Sequence, residues 1–203
     1  GWTGAQHVAH AEPMIREWMD YRSRYGFSEF HSHVYYEEDL FPLLALVEFA
    51  EDRALAKRAA TFVDQLLFDI ARHQFRGSFA GTHGRTYKKD KTSAHRHDTF
   101  TATKLLFDTA ELPFDSRGGT VAVMLCGSAQ YRVQEVLVKI ARHNGPTIDR
   151  ERMGIRFDEN EPIVPGVTPV HPDGIPYSGP AAIVPWWGAS NHTAWQLIPL
   201  TLD

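Results

Sequence analysis

The strongest constraint on the fold is a pair of adjacent apolar stripes that recur at helical spacing between residues 36 and 71. The first stripe predicts a helix that becomes regular near Leu40, because Pro42 would disturb a helix that began much earlier. Asp52 can cap the second helix, and the linking "AED" is short enough to predict an antiparallel helical hairpin. The stripes comprise Leu40, Leu43, Leu44, Val47 and Ala50, then Leu55, Ala59, Phe62, Val63, Leu66, Leu67 and Ile70.

Further helical phrases flank this hairpin and predict a mainly α fold. Pro13 and Gly26 stand where the start and stop of a first helix are expected, and residues 98–112 form another helical phrase. A later helix would turn four apolar side chains inward, namely Val133, Val136, Leu137 and Ile140. Residues 144–185 hold eight of the twelve prolines and predict a long Pro-rich loop with at most a short strand pair.

Composition narrows the class of protein before any motif is considered. The chain has 203 residues, 43% of them apolar, and a formal charge of −4. No basic block is present to collect phosphates, so nucleic acid is not an expected partner. No apolar run reaches the ~18 residues that a membrane span needs, so a membrane is not expected either. The single Cys126 excludes an intrachain disulfide, and its apolar neighbours predict a buried thiol.

Length predicts one domain over residues 1–203, with two small domains as the alternative, and a core that hides roughly 70% of the unfolded surface. Both ends read as cuts through something longer, so we expect this domain to be a portion of a larger protein. The oligomeric state stays open. Localisation also stays open, with an extracellular or periplasmic location expected if the parent protein carries a signal peptide.

The phrase "EFHSHVYYEED" concentrates titratable and aromatic side chains at the mouth of the hairpin's first helix. If it runs extended, Glu29, His31, His33 and Tyr35 share one face, because side chains alternate along an extended chain. A helix N-terminus also favours anionic groups. The phrase is therefore either a solvated loop or a site for a polar ligand, and its acids either complement the helix dipole or do chemistry.

The phrase "GTHGRTY" places His83 between two glycines that let a ligand approach the backbone, and Arg85 and Tyr87 follow it. Arg85 can hold a carboxylate through a two-pronged hydrogen bond. Tyr87 adds a phenol two residues further on. No phosphate-binding glycine loop and no G-x-S-x-G elbow occurs, which leaves acid–base chemistry on a polar substrate as the natural enzyme class.

Two His-x-His pairs raise the question of a metal. His31 with His33 and His95 with His97 could together hold zinc or a similar ion. The pairs are separated by a hairpin and a long loop, so nothing local forces them together. We therefore expect no tightly bound catalytic metal and no other cofactor. Trp186 and Trp187 are either core anchors or a stacking platform for sugar rings.

Three of these phrases resemble parts of known proteins. They are "YGFSEFHSHVYYEEDLFPLLALVEFAEDRALAKRAATFVDQLLFDIA", "GTHGRTY" and "WWGASNHTAWQLIPLTL". They resemble the α/α-toroid (six-hairpin) proteins, which include polysaccharide lyases of the heparinase and chondroitin-lyase type and many glycosidases. The resemblance covers residues 14–87 and 183–202. It implies helical hairpins of an incomplete (α/α) toroid, since a full toroid needs more hairpins than 203 residues supply.

The resemblance implies a lyase that cleaves a uronate-containing polysaccharide or oligosaccharide by β-elimination. Arg85 and His31 would stabilise the uronate as its C5 proton leaves. His83, or failing that His33, would take the proton, and Tyr36 or Tyr87 would protonate the leaving oxygen. The remaining expected substrate contacts are Glu29, Trp186 and Trp187.

Two other functions stay open at this point. A glycoside hydrolase would need two carboxylates, which could come from Glu29, Glu37, Glu38 and Asp39. A non-catalytic glycan-binding or structural role would need neither proton transfer nor a reactive carboxylate pair.

Overall fold

A computed structural model describes residues 1–27, 29–108 and 119–151. This part of the chain is mainly helical, as the sequence predicts. It contains α1 (Gly4–Tyr25), α2 (Tyr35–Phe49), α3 (Arg53–Arg72), β1 (Gln74–Phe75), β2 (Ser78–Phe79), α4 (Lys88–Thr92), a 3₁₀ turn (Ala94–Arg96), α5 (Phe100–Phe107), α6 (Thr120–Gly127) and α7 (Glu135–Ala141). Gly1–Phe30 belong to one compact unit, and His31–Ile148 form a second.

The first unit contains α1, which begins well before the expected start at Pro13. Thr3 caps this helix in a capping box with Gln6, so the earlier turns have their backbone donors satisfied. Pro13 therefore lies inside the helix, where it removes one hydrogen bond without ending it. Gly26 ends the helix at φ 70°, as expected from its position.

The second unit is organised around the predicted hairpin of α2 and α3, which pack against each other across a three-residue link, Ala50–Asp52. Asp52 caps α3 by accepting hydrogen bonds from the amides of Ala54 (2.7 Å) and Leu55 (3.3 Å). Both apolar stripes are buried apart from the half-buried Ala50. α2 begins at Tyr35 rather than near Leu40, and it accommodates Pro42 in its interior.

A tight β-hairpin follows α3 directly. Gln74 pairs with Phe79 and Phe75 with Ser78, which leaves Arg76 and Gly77 as a two-residue turn. Both turn residues have positive φ, 51° and 75°, as a type I′ hairpin requires. The hairpin reverses the chain and buries Phe79 beneath the start of α2, with its ring 5.8 Å from that of Tyr36.

Two of the remaining helices cover the outer faces of the α2–α3 hairpin: α6 packs against α2, and α7 packs against α3. Two burial predictions are wrong in this region. α6 buries Val121, Ala122 and Leu125 but leaves Cys126 exposed. α7 buries Leu137 and Ala141, so Val136, about 100° away around the helix, is 58% exposed.

Several expected features lie outside the described residues. These are most of the Pro-rich loop 144–185 and Trp186 with Trp187. The predicted helix over residues 98–112 is shorter in the structure: α5 ends at Phe107, because Asp108 has a left-handed φ of 46°. Within the described residues, no helix is both long enough and apolar enough to cross a membrane.

We expect the hairpin core to dominate the stability of the second unit. Leu66 is fully buried in α3, so Leu66→Ala should lower the free energy of unfolding by about 2–5 kcal/mol through lost burial and a residual cavity. Lys57→Ala on the exposed side of the same helix is the matched control and should change it by less than about 0.5 kcal/mol. Urea denaturation of both variants measures this, and equal effects would contradict the assigned core.

Candidate functional site

Three consecutive residues at the entrance to α2, His31, Ser32 and His33, fasten the loop that follows the β-hairpin. The Ser32 hydroxyl donates to the Arg85 carbonyl (2.9 Å) and accepts from the amide of Tyr35 (3.1 Å). It therefore ties the loop and caps the first turn of α2 at the same time. The His33 carbonyl accepts from the amide of Thr99 (3.1 Å), which fixes the far end of the same loop.

The buried His33 ring uses both of its nitrogens. Nε2 lies 2.6 Å from the Phe79 carbonyl, which can only accept, so Nε2 carries the proton. Nδ1 then accepts from the Thr86 hydroxyl at 3.2 Å. Burial, followed by the charges of His97 and His83, lowers the pKa of His33 to about 3. His33 is thus a neutral structural imidazole with no nitrogen left to take a proton from a substrate.

His31 lies beside it in a left-handed backbone conformation, with φ 51°. This conformation is uncommon for a residue with a side chain, although histidine tolerates it better than most. The turn presents the His31 carbonyl to Nδ1 of His83, which donates a short hydrogen bond to it. Burial and then the neighbouring His73 lower the pKa of His31 to about 4, so the buried ring is neutral near pH 7.

The rings of His31, His33, His73, His83 and His97 lie against one another, and we call them the histidine cluster. Three ring pairs are in close contact: His31 with His73 (4.1 Å between centroids), His33 with His83 (3.6 Å) and His33 with His97 (3.7 Å, stacked). Phe79 lies within 5.6–6.3 Å of four of the rings.

Two further members of the cluster have one nitrogen engaged by a carbonyl. His97 Nε2 donates to Asp90 (2.8 Å), and His73 Nδ1 donates to Asp69 (2.8 Å). Burial lowers the pKa of both His97 and His83. His83 differs from His31, His33 and His97 in being only half-buried, and its Nδ1–H bond leaves Nε2 as the unprotonated nitrogen. It is therefore suited to act as a base.

Tyr36 does not lie where its predicted role as an acid requires. Its side chain is 0% exposed, and its hydroxyl donates to Asp69 at 3.3 Å. Burial and then the Asp69 carboxylate raise the pKa of Tyr36 well above its ordinary value. A phenol in this position stabilises the α2–α3 interface and cannot reach a polysaccharide.

The neighbouring Tyr35, rather than Tyr36, presents its hydroxyl where a substrate could reach it. Its hydroxyl lies 2.7 Å from the hydroxyl of Tyr87, and this pair is open to solvent. The Arg85 guanidinium lies 4.9 Å from the centre of the Tyr35 ring and 5.6 Å from that of Tyr87. We call Tyr35, Arg85 and Tyr87 the tyrosine–arginine surface. It offers two phenols and a positive charge at one exposed place.

Other predicted site residues are not brought into this arrangement. Glu29 is half-buried and belongs to the first unit, whereas the histidine cluster belongs to the second. His95 contacts the hydroxyl of Ser93. His33 could join a four-histidine metal set only by giving up one of its hydrogen bonds to Thr86 and Phe79.

Three of the four carboxylates considered for hydrolysis, those of Glu37, Glu38 and Asp39, lie at the start of α2. Glu38 is exposed, whereas Glu37 is half-buried, and burial raises its pKa. A hydrogen bond to the backbone of Val121 opposes that shift, which places Glu37 against α6. Glu37 therefore belongs to the packing between helices.

Sequence reasoning placed Tyr35 beside the histidines without giving it a chemical role, and it missed His73. The pattern contained the signal for Tyr35, because Tyr36 stands four and seven residues before Leu40 and Leu43 and so shares their buried face. The adjacent Tyr35 must then point elsewhere. No comparable local signal identifies His73, which joins the cluster only because the β-hairpin folds back after α3.

Comparison with known proteins adds no relative to this picture. No protein-family model, no curated protein and no solved structure matches the chain. The function must therefore be argued from the arrangement of the residues themselves.

The neutral rings of His31 and His33 predict that acid destabilises the protein. Unfolded His31 and His33 bind protons below about pH 6.5, whereas the folded rings do so only near pH 4 and pH 3. Each such ring therefore costs about 1.4 kcal/mol of stability per pH unit as the pH falls below 6.5, until its folded pKa is reached. Urea denaturation between about pH 7 and pH 5 should show this loss. The slope of the free energy of unfolding against pH should approach about two protons or more at the acid end of this range.

His33→Gln tests the assignment within that measurement. The glutamine amide can still donate to the Phe79 carbonyl, but it cannot titrate. The slope of the unfolding free energy against pH should therefore fall by about one proton, although the variant is less stable at pH 7. His7→Gln, in the exposed part of α1, should leave the slope unchanged. A His33→Gln slope equal to that of the wild type would show that this ring is not held neutral.

Proposed function

We propose that this chain carries a β-elimination site for uronate-containing polysaccharides, on helical hairpins that form part of an (α/α) toroid. The observation that carries the proposal is the contact of the two phenols of Tyr35 and Tyr87 beneath the Arg85 guanidinium. Elimination next to a carboxylate needs a cation, a base and an acid within reach of one sugar ring. The second unit supplies all three in neighbouring segments of one loop and one helix start.

Arg85 is the group that neutralises the uronate. As the C5 proton leaves, charge builds on the carboxylate, and a fixed guanidinium stabilises this charge more strongly than it stabilises the ground state. The backbone of Arg85 is held by the Ser32 hydroxyl, and its side chain rests on two tyrosine rings. The arginine is therefore positioned before a substrate arrives.

His83 is the proposed base. Its Nδ1 is held by the His31 carbonyl, so Nε2 presents the lone pair that takes the C5 proton. Burial lowers the pKa of His83, which keeps the ring unprotonated near pH 7. The electrons of the broken C5–H bond then form the C4–C5 double bond as the bond from C4 to the leaving oxygen breaks.

Tyr87 is the proposed acid, with Tyr35 as its hydrogen-bond partner. The departing oxygen takes the Tyr87 phenolic proton, and the Tyr35 hydroxyl can stabilise the resulting phenolate across the 2.7 Å contact. Tyr87 is exposed at the loop surface, where a polymer could reach it. These roles replace those first expected for Tyr36 and His33.

The proposal predicts that Tyr87→Phe lowers turnover by about 10²–10⁴-fold, because one proton transfer loses its donor. Its stability should change by less than about 0.5 kcal/mol, since the hydroxyl is exposed. The assay is the ultraviolet absorbance of the unsaturated uronate product on a panel of uronate polysaccharides. New reducing ends without this absorbance would indicate hydrolysis, and binding without cleavage would indicate a glycan-binding protein; either result excludes elimination.

Tyr36→Phe is the matched control for the same chemical change. It removes a buried donor to Asp69, so it should cost about 1–3 kcal/mol of stability yet leave turnover per folded molecule close to that of the wild type. If Tyr36→Phe and Tyr87→Phe affect turnover equally, the tyrosine–arginine surface is not the site.

Arg85→Ala should lower kcat/KM by about 10²-fold or more on the acidic polymer. The methyl-esterified polymer has no carboxylate charge. On this polymer the ratio of the wild-type kcat/KM to the variant kcat/KM should approach one. Arg96→Ala, an exposed arginine of the same loop, is the control and should behave as the wild type on both polymers. An equal loss for Arg85→Ala on both polymers would refute the assigned role.

A further inference from the structure

A cavity of about 870 Å³ lies beside the β-hairpin, where the end of α3 faces the segment that follows α7. Its volume is in the range of pockets that take small organic ligands. Among the residues that the structure describes, the lining includes Arg72, His73, Arg76 and His143 and no aspartate or glutamate. Two fixed positive charges and two imidazoles in one concavity favour an anionic occupant.

Arg76 is held in this wall at a conformational cost. It stands at the first turn position of the β-hairpin with φ 51°, where glycine, asparagine or aspartate would be less strained. Its guanidinium lies 5.4 Å from the centre of the Phe75 ring. An arginine kept where its backbone is disfavoured indicates a use for the side chain itself.

The end of α3 is prepared for an anion by its own side chains. Helix C-termini expose carbonyl oxygens that repel negative charge. Here His73 donates to the Asp69 carbonyl (2.8 Å) and Gln74 donates to the Ile70 carbonyl (3.2 Å). Both donors come from residues that line the cavity, so the carbonyls nearest to it are partly neutralised.

Phe75 supplies an apolar face next to this charge. Its ring is 65% exposed and lines the cavity. An exposed aromatic face beside a guanidinium suits a ring-shaped ligand that carries a negative substituent, because the ring can stack while the substituent meets the arginine. A bare inorganic ion would use the charge but not the aromatic face.

We propose that this cavity binds a sugar or similar ring that carries a phosphate or sulfate ester, with Arg76 as the main anion contact and Phe75 as the stacking surface. Arg72 adds positive charge, part of which is offset by Asp69 at 3.4 Å. The site uses none of the three residues of the tyrosine–arginine surface. It therefore does not rest on the elimination chemistry proposed above.

Calorimetric titration of the intact chain at low salt tests the proposal with four probes: glucose 6-phosphate, glucose 6-sulfate, glucose and inorganic phosphate. At least one ester should bind tenfold or more tightly than glucose and inorganic phosphate, and the preferred ester identifies the anion. Arg76→Asn should weaken that binding by tenfold or more while leaving the melting temperature unchanged or raised, because asparagine suits the turn better.

Arg24→Asn, in the exposed last turn of α1, gives the same change of charge and should alter binding by less than twofold. Three results would overturn the proposal: neither ester binds the wild type, inorganic phosphate binds as tightly as the better ester, or Arg76→Asn binds that ester as the wild type does. Each measurement is independent of turnover, so a failed elimination assay would leave this test intact.

Discussion

The rest of the site depends on the two hydrogen bonds that the neutral imidazole of His33 makes. One nitrogen donates to the β-hairpin at Phe79, and the other accepts from Thr86 in the following loop. Only the uncharged ring can do both, because a protonated imidazole has no lone pair to accept with. Burial between Phe79 and the stacked ring of His97 enforces that state. The geometry of the loop is thus fixed by the protonation state of a single side chain.

The site has a buried part and an exposed part. The buried residues position the loop, and the exposed residues can react. Ser32 and His31 hold the backbone of Arg85 and the ring of His83 respectively. The groups that face solvent, Tyr35, Arg85 and Tyr87, therefore inherit their placement from residues that a ligand never touches. Such support is what keeps reactive groups on a loop within the narrow geometry that catalysis requires.

The sequence predicted the elements that depend on local pattern and left open those that depend on tertiary contacts. The apolar stripes, the Asp52 cap and the stop at Gly26 are periodic or local signals, and each prediction is confirmed. His33 lies against His83 because the two loops that carry them flank one hairpin. Which histidine is structural was not predictable, because that depends on carbonyls 46 and 52 residues away from their partners in the chain. The prediction that Tyr36 acts as an acid was wrong, because its position on the apolar stripe of α2, and not its polar hydroxyl, decides that it is buried.

The Ser32 hydroxyl has a kinetic consequence. It caps the first turn of α2, yet its orientation is set by the Arg85 carbonyl, 53 residues away. The core of the α2–α3 hairpin can form early, since its contacts are local, whereas this cap must wait for a long loop to close. The site should then order after the core of the α2–α3 hairpin and open before it. Backbone amides at Tyr35 and Thr99 would exchange with solvent through partial openings that leave the amides of Leu66 and Ile70 protected.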